Sequence, residues 1–218
     1  MDNHIVLSTL FDNQVLSVEF KNTEKSNALS LKMLTELLEL LSKKKIVKKY
    51  KLLVFKGYKD SPFSAGADLT EVKKLKKKNN IQKYHSKLNK LLKLLNNLDL
   101  IKISILKSHC IGAGFILAMN TDISIANSSC SFSVPAAKLD IKLPSYQIQL
   151  LKKKFPNNLF LKEVLLTGRK FSSKEAYNFN LINLVLDNKN FNNNYLNFIE
   201  DFIKNNKKTL DYYYQKLA

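Results

Sequence analysis

Two short stretches carry small residues in a pattern suited to chemistry done by the backbone. In "SPFSAGADLTEV" (61–72), Ala65, Gly66 and Ala67 stand ahead of Asp68. In "HCIGAGFILAMN" (109–120), Gly112, Ala113 and Gly114 precede the apolar Phe115, Ile116 and Leu117. Each stretch follows an apolar strand pattern and opens a helix pattern, so each presents unpaired backbone N–H groups at a helix start. Two such donors converging on one oxygen stabilise charge developing on a carbonyl. One turn of this kind is ordinary packing; the two together point to a site. Side-chain chemistry is harder to find. The spacings support neither a Ser–His–Asp nor a Cys–His arrangement, and Cys110 and Cys130 give no metal-ligand spacing.

The elements that would position these turns alternate between strand and helix. "VLSVEF" (15–20) has Leu16, Val18 and Phe20 at period two, a strand pattern. "SLKMLTELLELLSKKK" (30–45) sets Leu34, Leu37, Leu38 and Leu41 on one helical face, with Ser30 as N-cap. "KLLVF" (51–55) reads as a buried strand before Gly57, and 81–98 returns to helix spacing through Tyr84, Leu88, Leu91, Leu92, Leu95 and Leu98. "IKISIL" (101–106), "DISIA" (122–126) and "SFSV" (131–134) are further strands, and the chain after Pro144 reads mostly helical. With no internal repeat and no clear linker, the alternation predicts one α/β domain with a helical C-terminal part.

Length and composition bound the rest. A chain of 218 residues, 45% hydrophobic with 13 Phe and 9 Tyr, can bury one sizeable core. No apolar run reaches membrane-spanning length, and "MDNHIVLSTLF" has no basic stretch of a secretory signal. Two cysteines in apolar segments fit a reducing cytoplasm. The formal net charge is +18, yet Arg169 is the only arginine, and lysines are spread over helix faces and linkers such as "KKLKKKNN" (73–80). Readers of phosphates and bases recruit arginine for its bidentate fork, so the charge is read as compositional rather than as a nucleic-acid surface. It still favours an anionic small molecule.

Four segments, in order, resemble the crotonase superfamily, the enoyl-CoA hydratase/isomerase family. "EKSNALSLKML" (24–34) is similar to its CoA-pocket loop and first helix, and "FSAGADLTEV" to its first oxyanion loop. "GAGFILAMNTDISIANSSCSFSVP" (112–135) resembles the second loop with the helix and strand after it, and "LLTGRKFSSKEAYNFNLINLV" (165–185) a later family segment. The resemblance implies a crotonase-like spiral of ββα units over 1–185, followed by a shortened helical C-terminal segment over 186–218. It implies an acyl-CoA thioester as substrate or ligand, no separate cofactor and no metal. It also implies a homo-oligomer, a trimer or dimer of trimers. By position, the N–H groups of Ala67 and Ala113 form the oxyanion hole, with Ala113 where the family usually has Gly. Ala65, Gly66, Asp68 and Gly112 lie along the bound CoA ester, with Lys25 near its nucleotide end. Solvation accounts equally for Lys25, and helix capping for Asp68.

The departures from the family decide what activity to expect. Its hydratases use two glutamates, one after the second loop and one after the next strand; here these positions are Ile116 and Ala136. Neither moves a proton or orients water, so standard hydration lacks its acid–base pair. Asp140, where Gly is usual, is the best substitute acid or base, although a turn or capping aspartate is the plainer reading. Glu71 reads as structural or exposed, His109 as a core histidine, Tyr146 as a weaker candidate, and Ser108 stands where Gly is common. The leading expectation is an acyl-CoA-binding hydratase/isomerase-like protein with altered or weak chemistry. A non-catalytic subunit or regulator of the same fold is the alternative, and a lysine-rich nucleic-acid binder a third reading.

Overall fold

The computed structural model describes residues 4–74 and 80–217, and the side chains of 72–80, including all of the lysine run at 73–80, lie outside the described residues. The chain begins with strands β1 (Ile5–Leu10) and β2 (Val15–Phe20), followed by helices α1 (Leu31–Leu41) and α2 (Lys45–Lys49). Strand β3 (Leu52–Gly57) leads to α3 (Leu69–Lys74) and α4 (Asn80–Asn96). Then come β4 (Ile101–Leu106), β5 (His109–Ile111), α5 (Gly112–Ala118), β6 (Ile123–Asn127) and β7 (Ser131–Ser133). The remainder is α6 (Ser145–Lys154), α7 (Asn158–Thr167), β8 (Phe171–Ser172), α8 (Ser173–Asn178), β9 (Leu184–Leu186), α9 (Phe191–Lys204) and α10 (Lys207–Leu217).

Six strands form one sheet in the order β1-β2-β3-β4-β6-β9, parallel except for the β1–β2 hairpin. A smaller sheet, β5-β7-β8, lies beside it. After each of β4 and β6 the chain steps into the small sheet, then enters a helix. The turn after β3 does the same through an isolated bridge, Ser64 to Cys110. This is the ββα spiral.

The large sheet is covered on both sides, which its period-two pattern explains. Leu16, Val18, Leu53, Phe55 and Leu106 pack on one face with α1, α4 and α5. Val15, Leu52, Val54, Ile101 and Ile103 pack on the other with Phe191, Tyr195 and Ile199 of α9. All six residues of β2 are therefore buried, where the sequence pattern suggested one apolar face. Residues after 185 contribute to this second core, so the C-terminal segment packs as part of the same body. Tyr214 of α10 fixes that end, reaching buried Lys102 and Asp122.

The expected helix over 30–45 stops at Leu41 and a separate turn of helix follows. Ser30 caps it as expected, its hydroxyl accepting from the Met33 N–H at 3.1 Å. The region after Pro144 holds two strands among its helices. β8 is only two residues long and β9 three, too short for periodicity to register.

Candidate functional site

The two small-residue turns meet. A β-carbon placed on Gly66 would lie 3.0 Å from the Ile111 carbonyl oxygen and 3.6 Å from the Ala113 nitrogen, and Gly66 has φ +98°. Only glycine fits that backbone at that distance. Gly114 packs α5 onto the first turn: a β-carbon there would fall 2.5 Å from the Ser64 β-carbon. Ser64 in turn holds the first turn together, its hydroxyl donating to the Asn27 carbonyl at 2.8 Å and accepting from the Gly66 N–H at 3.1 Å.

The hydrogen-bond pattern shows which N–H groups are spare. Leu29 pairs with Ala67 in a parallel bridge, in which the Leu29 N–H donates to the Gly66 carbonyl (2.6 Å) and the Asp68 N–H donates to the Leu29 carbonyl (3.2 Å). Both bonds flank Ala67, so its own N–H points away from Leu29. Ala113 is the second residue of α5, and an N–H in the first turn has no intrahelical acceptor. Among the described residues neither N–H has a partner.

Ala65, Gly66, Ala67, Gly112 and Ala113 all line one cavity of about 380 Å³. Its remaining walls are mainly apolar, from Leu88, Val134, Ile141 and Leu143, and Ile116 and Ala136 face it too. The Tyr84 hydroxyl donates to the Leu29 carbonyl at 3.0 Å, and burial pushes its pKa far up, so it stays a neutral donor already in use. Sequence reasoning missed three polar residues of this wall, His85 on α4, Gln147 on α6 and Lys138 before α6. Nothing in the spacing of the sequence singles them out.

The other expected residues lie outside this cavity's wall. Asp68 is buried beside it, where it caps α3: one carboxylate oxygen accepts from the Thr70 N–H (3.0 Å) and hydroxyl (2.6 Å), the other from Lys25 Nζ (2.8 Å). Burial pushes the Asp68 pKa up, but the bonds from Lys25 and Thr70 outweigh it and hold the carboxyl below its ordinary value. The hydrogen bond to Asp68 raises Lys25 in turn. Glu71 is structural, accepting from the Leu31 N–H at 2.8 Å at the start of α1. Asp140 is exposed at φ +52° and lines a neighbouring, more polar cavity of about 870 Å³ with Lys90, Lys93 and Lys142. The two cavities share Ile81 and His85. Ser108 has φ +63°, which explains why glycine suits its position. His109 is half-buried and burial lowers its pKa; the Tyr146 hydroxyl accepts from Asn96 Nδ2 at 3.1 Å. Cys110 and Cys130 are buried and unbridged, and burial raises both thiols, Cys130 to about 12.

Comparison with known proteins agrees with this architecture. The model of the family described as enoyl-CoA hydratase/isomerase matches residues 11–217. Carnitinyl-CoA dehydratases of Shigella flexneri and Escherichia coli K12 are 32% identical over 90 residues, 41% of this chain. That match spans about a third of those relatives' length, 34%. An enoyl-CoA hydratase/carnithine racemase from Magnetospirillum magneticum superposes with TM-score 0.91 at 21% identity, over 100% of this chain and 80% of that one. Enoyl-CoA hydratase from Bacillus anthracis gives 0.88 at 21%, over 98% and 82%. These two likenesses concern the fold, and the match over 11–217 extends it to the sequence pattern. The chain belongs to the enoyl-CoA hydratase/isomerase family.

Proposed function

We propose that this chain binds an acyl-CoA thioester with its carbonyl oxygen between the N–H groups of Ala67 and Ala113, which polarise it. The observation behind this reading is the pair of unpartnered N–H groups on one apolar cavity. An apolar wall takes an acyl chain, and two donors in a water-poor site act on developing charge far more strongly than in water. Gly66 and Gly112 keep the turns thin enough for a thioester to approach, and Ala65 borders its path. Lys25 and Asp68 form the ion pair at the outer end, Lys25 toward the anionic nucleotide. Carnitinyl-CoA, in the name of the curated relatives, is itself a CoA thioester, which supports the ligand class.

In this reading the reaction is of the enolate-forming kind, since the oxyanion donors remain while Ile116 and Ala136 replace the glutamates needed to activate water. Asp140, opening onto the adjoining cavity, is the carboxylate available at the rim. The same two apolar residues favour a second reading, a non-catalytic subunit that keeps the ligand and has given up turnover.

Calorimetric titration with crotonyl-CoA and acetyl-CoA, with CoA as control, tests the reading while absorbance follows the enoyl thioester. Tighter binding of the thioesters than of CoA is expected. Binding with neither loss of absorbance nor exchange of an α-hydrogen of acetyl-CoA into D2O selects the second reading. No binding of any of the three refutes both.

A further inference from the structure

The apolar cavity and the larger polar one, of about 870 Å³, share Ile81 and His85 as wall, so the second is what an acyl chain meets where it outgrows the first on that side. Charge on the two walls is one-sided. Among the described residues, Lys138 lines the apolar cavity and Lys90, Lys93 and Lys142 line the polar one, against the single carboxylate of Asp140. That is four to one, where the whole chain carries 36 Lys and Arg against 18 Asp and Glu. All five are exposed, and none of them makes an ion pair. Lys90 and Lys93 stand three apart on α4, a spacing at which like charges repel, and α4 has no acidic residue to offset them. Burial favours the neutral ring of His85, so the lysines and Asp140 set the sign.

We propose that the acyl group taken by this site ends in a carboxylate, so that the ligand is the CoA monothioester of a dicarboxylic acid, its free end among Lys90, Lys138 and Lys142. This deepens the acyl-CoA reading above and rests on it. The division of the walls suits such a chain. Its methylenes pack on Leu88, Val134, Ile141 and Leu143. Its carboxylate reaches exposed lysine heads, where it keeps much of its water and loses little by desolvation. A neutral tail of the same length puts a methyl group into that polar space and gains no burial there. A cleft lined by one sign of charge also concentrates the opposite sign before any contact forms, and a lysine head on its flexible stem follows the anion. The nucleotide end of CoA does not compete for these lysines in this reading, since Lys25 and Asp68 line neither cavity.

Calorimetry with matched pairs is the test: succinyl-, glutaryl- and adipyl-CoA against butyryl-, valeryl- and hexanoyl-CoA, which carry a methyl group in place of the carboxylate. At low salt at least one dicarboxylic thioester should bind about tenfold tighter than its neutral match, as several exposed charge contacts together allow. Added salt should shrink that ratio. Lys90→Gln combined with Lys142→Gln removes most of the preference, Lys138→Gln lowers it, and Asp140→Asn raises it. Lys174→Gln combined with Lys208→Gln, on α8 and α10 and lining neither cavity, leaves the preference as it was. No preference in any of the three pairs overturns the proposal while the acyl-CoA reading stands. An equal fall in both double variants traces the preference to bulk charge and overturns it too. So does an equal weakening of CoA itself by Lys90→Gln with Lys142→Gln, which would place the nucleotide phosphates there. If none of the six thioesters binds tighter than CoA, the acyl-CoA reading falls and this inference with it.

Discussion

Asp68 shows how far a single residue could be read in advance. Its type and place ahead of Leu69 announce a helix cap, and it is one; the ion pair with Lys25, 43 positions away in sequence, depends on the fold. Removing the cap by Asp68→Ala is expected to cost about 1 kcal/mol. Asp68→Asn keeps a capping oxygen and is expected to cost less, and Lys25→Ala little, because its side chain is 46% exposed and screened. The Asp68 carboxyl is held below its ordinary value, so the folded chain binds that proton more weakly than the unfolded one. Its contribution is complete above the unfolded carboxylate pKa and is lost as pH falls through the folded one. Urea titrations from pH 7 down to 3 should show the wild-type advantage over Asp68→Asn fading toward the acid end. His85 shifts in the same sense for a different cause: burial lowers it, so protonation of the unfolded chain below about pH 6.5 also weakens the fold.

Ser108 gives a prediction of the opposite sign. A serine at φ +63° is strained by roughly 1 kcal/mol relative to glycine. Ser108→Gly should therefore raise the urea midpoint with an unchanged slope, less whatever its 3.2 Å contact with His109 contributes. The sequence marks Ser108 and Asp140 as departures from glycine, and both prove to have left-handed backbone, with Asp140 at φ +52°. His85 and Gln147 gave no such signal. Each occupies one place in a helix, and only the packing of α4 against α6 makes a polar pair of them.

At the scale of elements, the site is the contact between the turn after β3 and the start of α5. Both turns were legible because two runs of glycine and alanine, each between an apolar strand and a helix pattern, recur in one chain. Their mutual distance was not, since it depends on the Ser64–Cys110 and Leu29–Ala67 bridges, which join residues about 40 positions apart. Gly114→Ala tests this contact. Its methyl would sit 2.5 Å from the Ser64 β-carbon, so α5 and the first turn must separate. A loss of about 1–3 kcal/mol is expected from overpacking, together with weaker thioester binding as Ala67 and Ala113 move apart. A stable variant with unchanged binding would show that the two turns need not touch. The short strands β8 and β9 were missed because two or three residues cannot display a period, whereas α1, α4 and β4 are long enough to declare themselves.

For the whole molecule, alternation of strand and helix predicted the α/β class, and the resemblance supplied the spiral. What neither conveyed is that the large sheet is buried on both sides, with α9 and the Lys102–Asp122–Tyr214 contact closing the second. Burial lowers the Lys102 pKa and Asp122 opposes it, so the lysine depends on its partners. No helix among the described residues is long and apolar enough to cross a membrane. A net charge of +18 should draw anionic ligands. Thioester association is therefore expected to slow as salt rises, by a modest factor if the lysines are merely spread over the surface and steeply if they form a nucleic-acid groove. A trimer or dimer of trimers is the assembly proposed from the family; light scattering at the mass of one chain would contradict it.

In the proposed function, the N–H groups of Ala67 and Ala113 polarise a thioester carbonyl. Isotope-edited infrared spectroscopy of crotonyl-CoA carrying a 13C label at the carbonyl reads that bond directly. Bound to this protein, the stretch should move to lower frequency than in water, and Gly114→Ala should return it toward the free value. A bound carbonyl at the free frequency would show that these N–H groups do not hold the thioester oxygen.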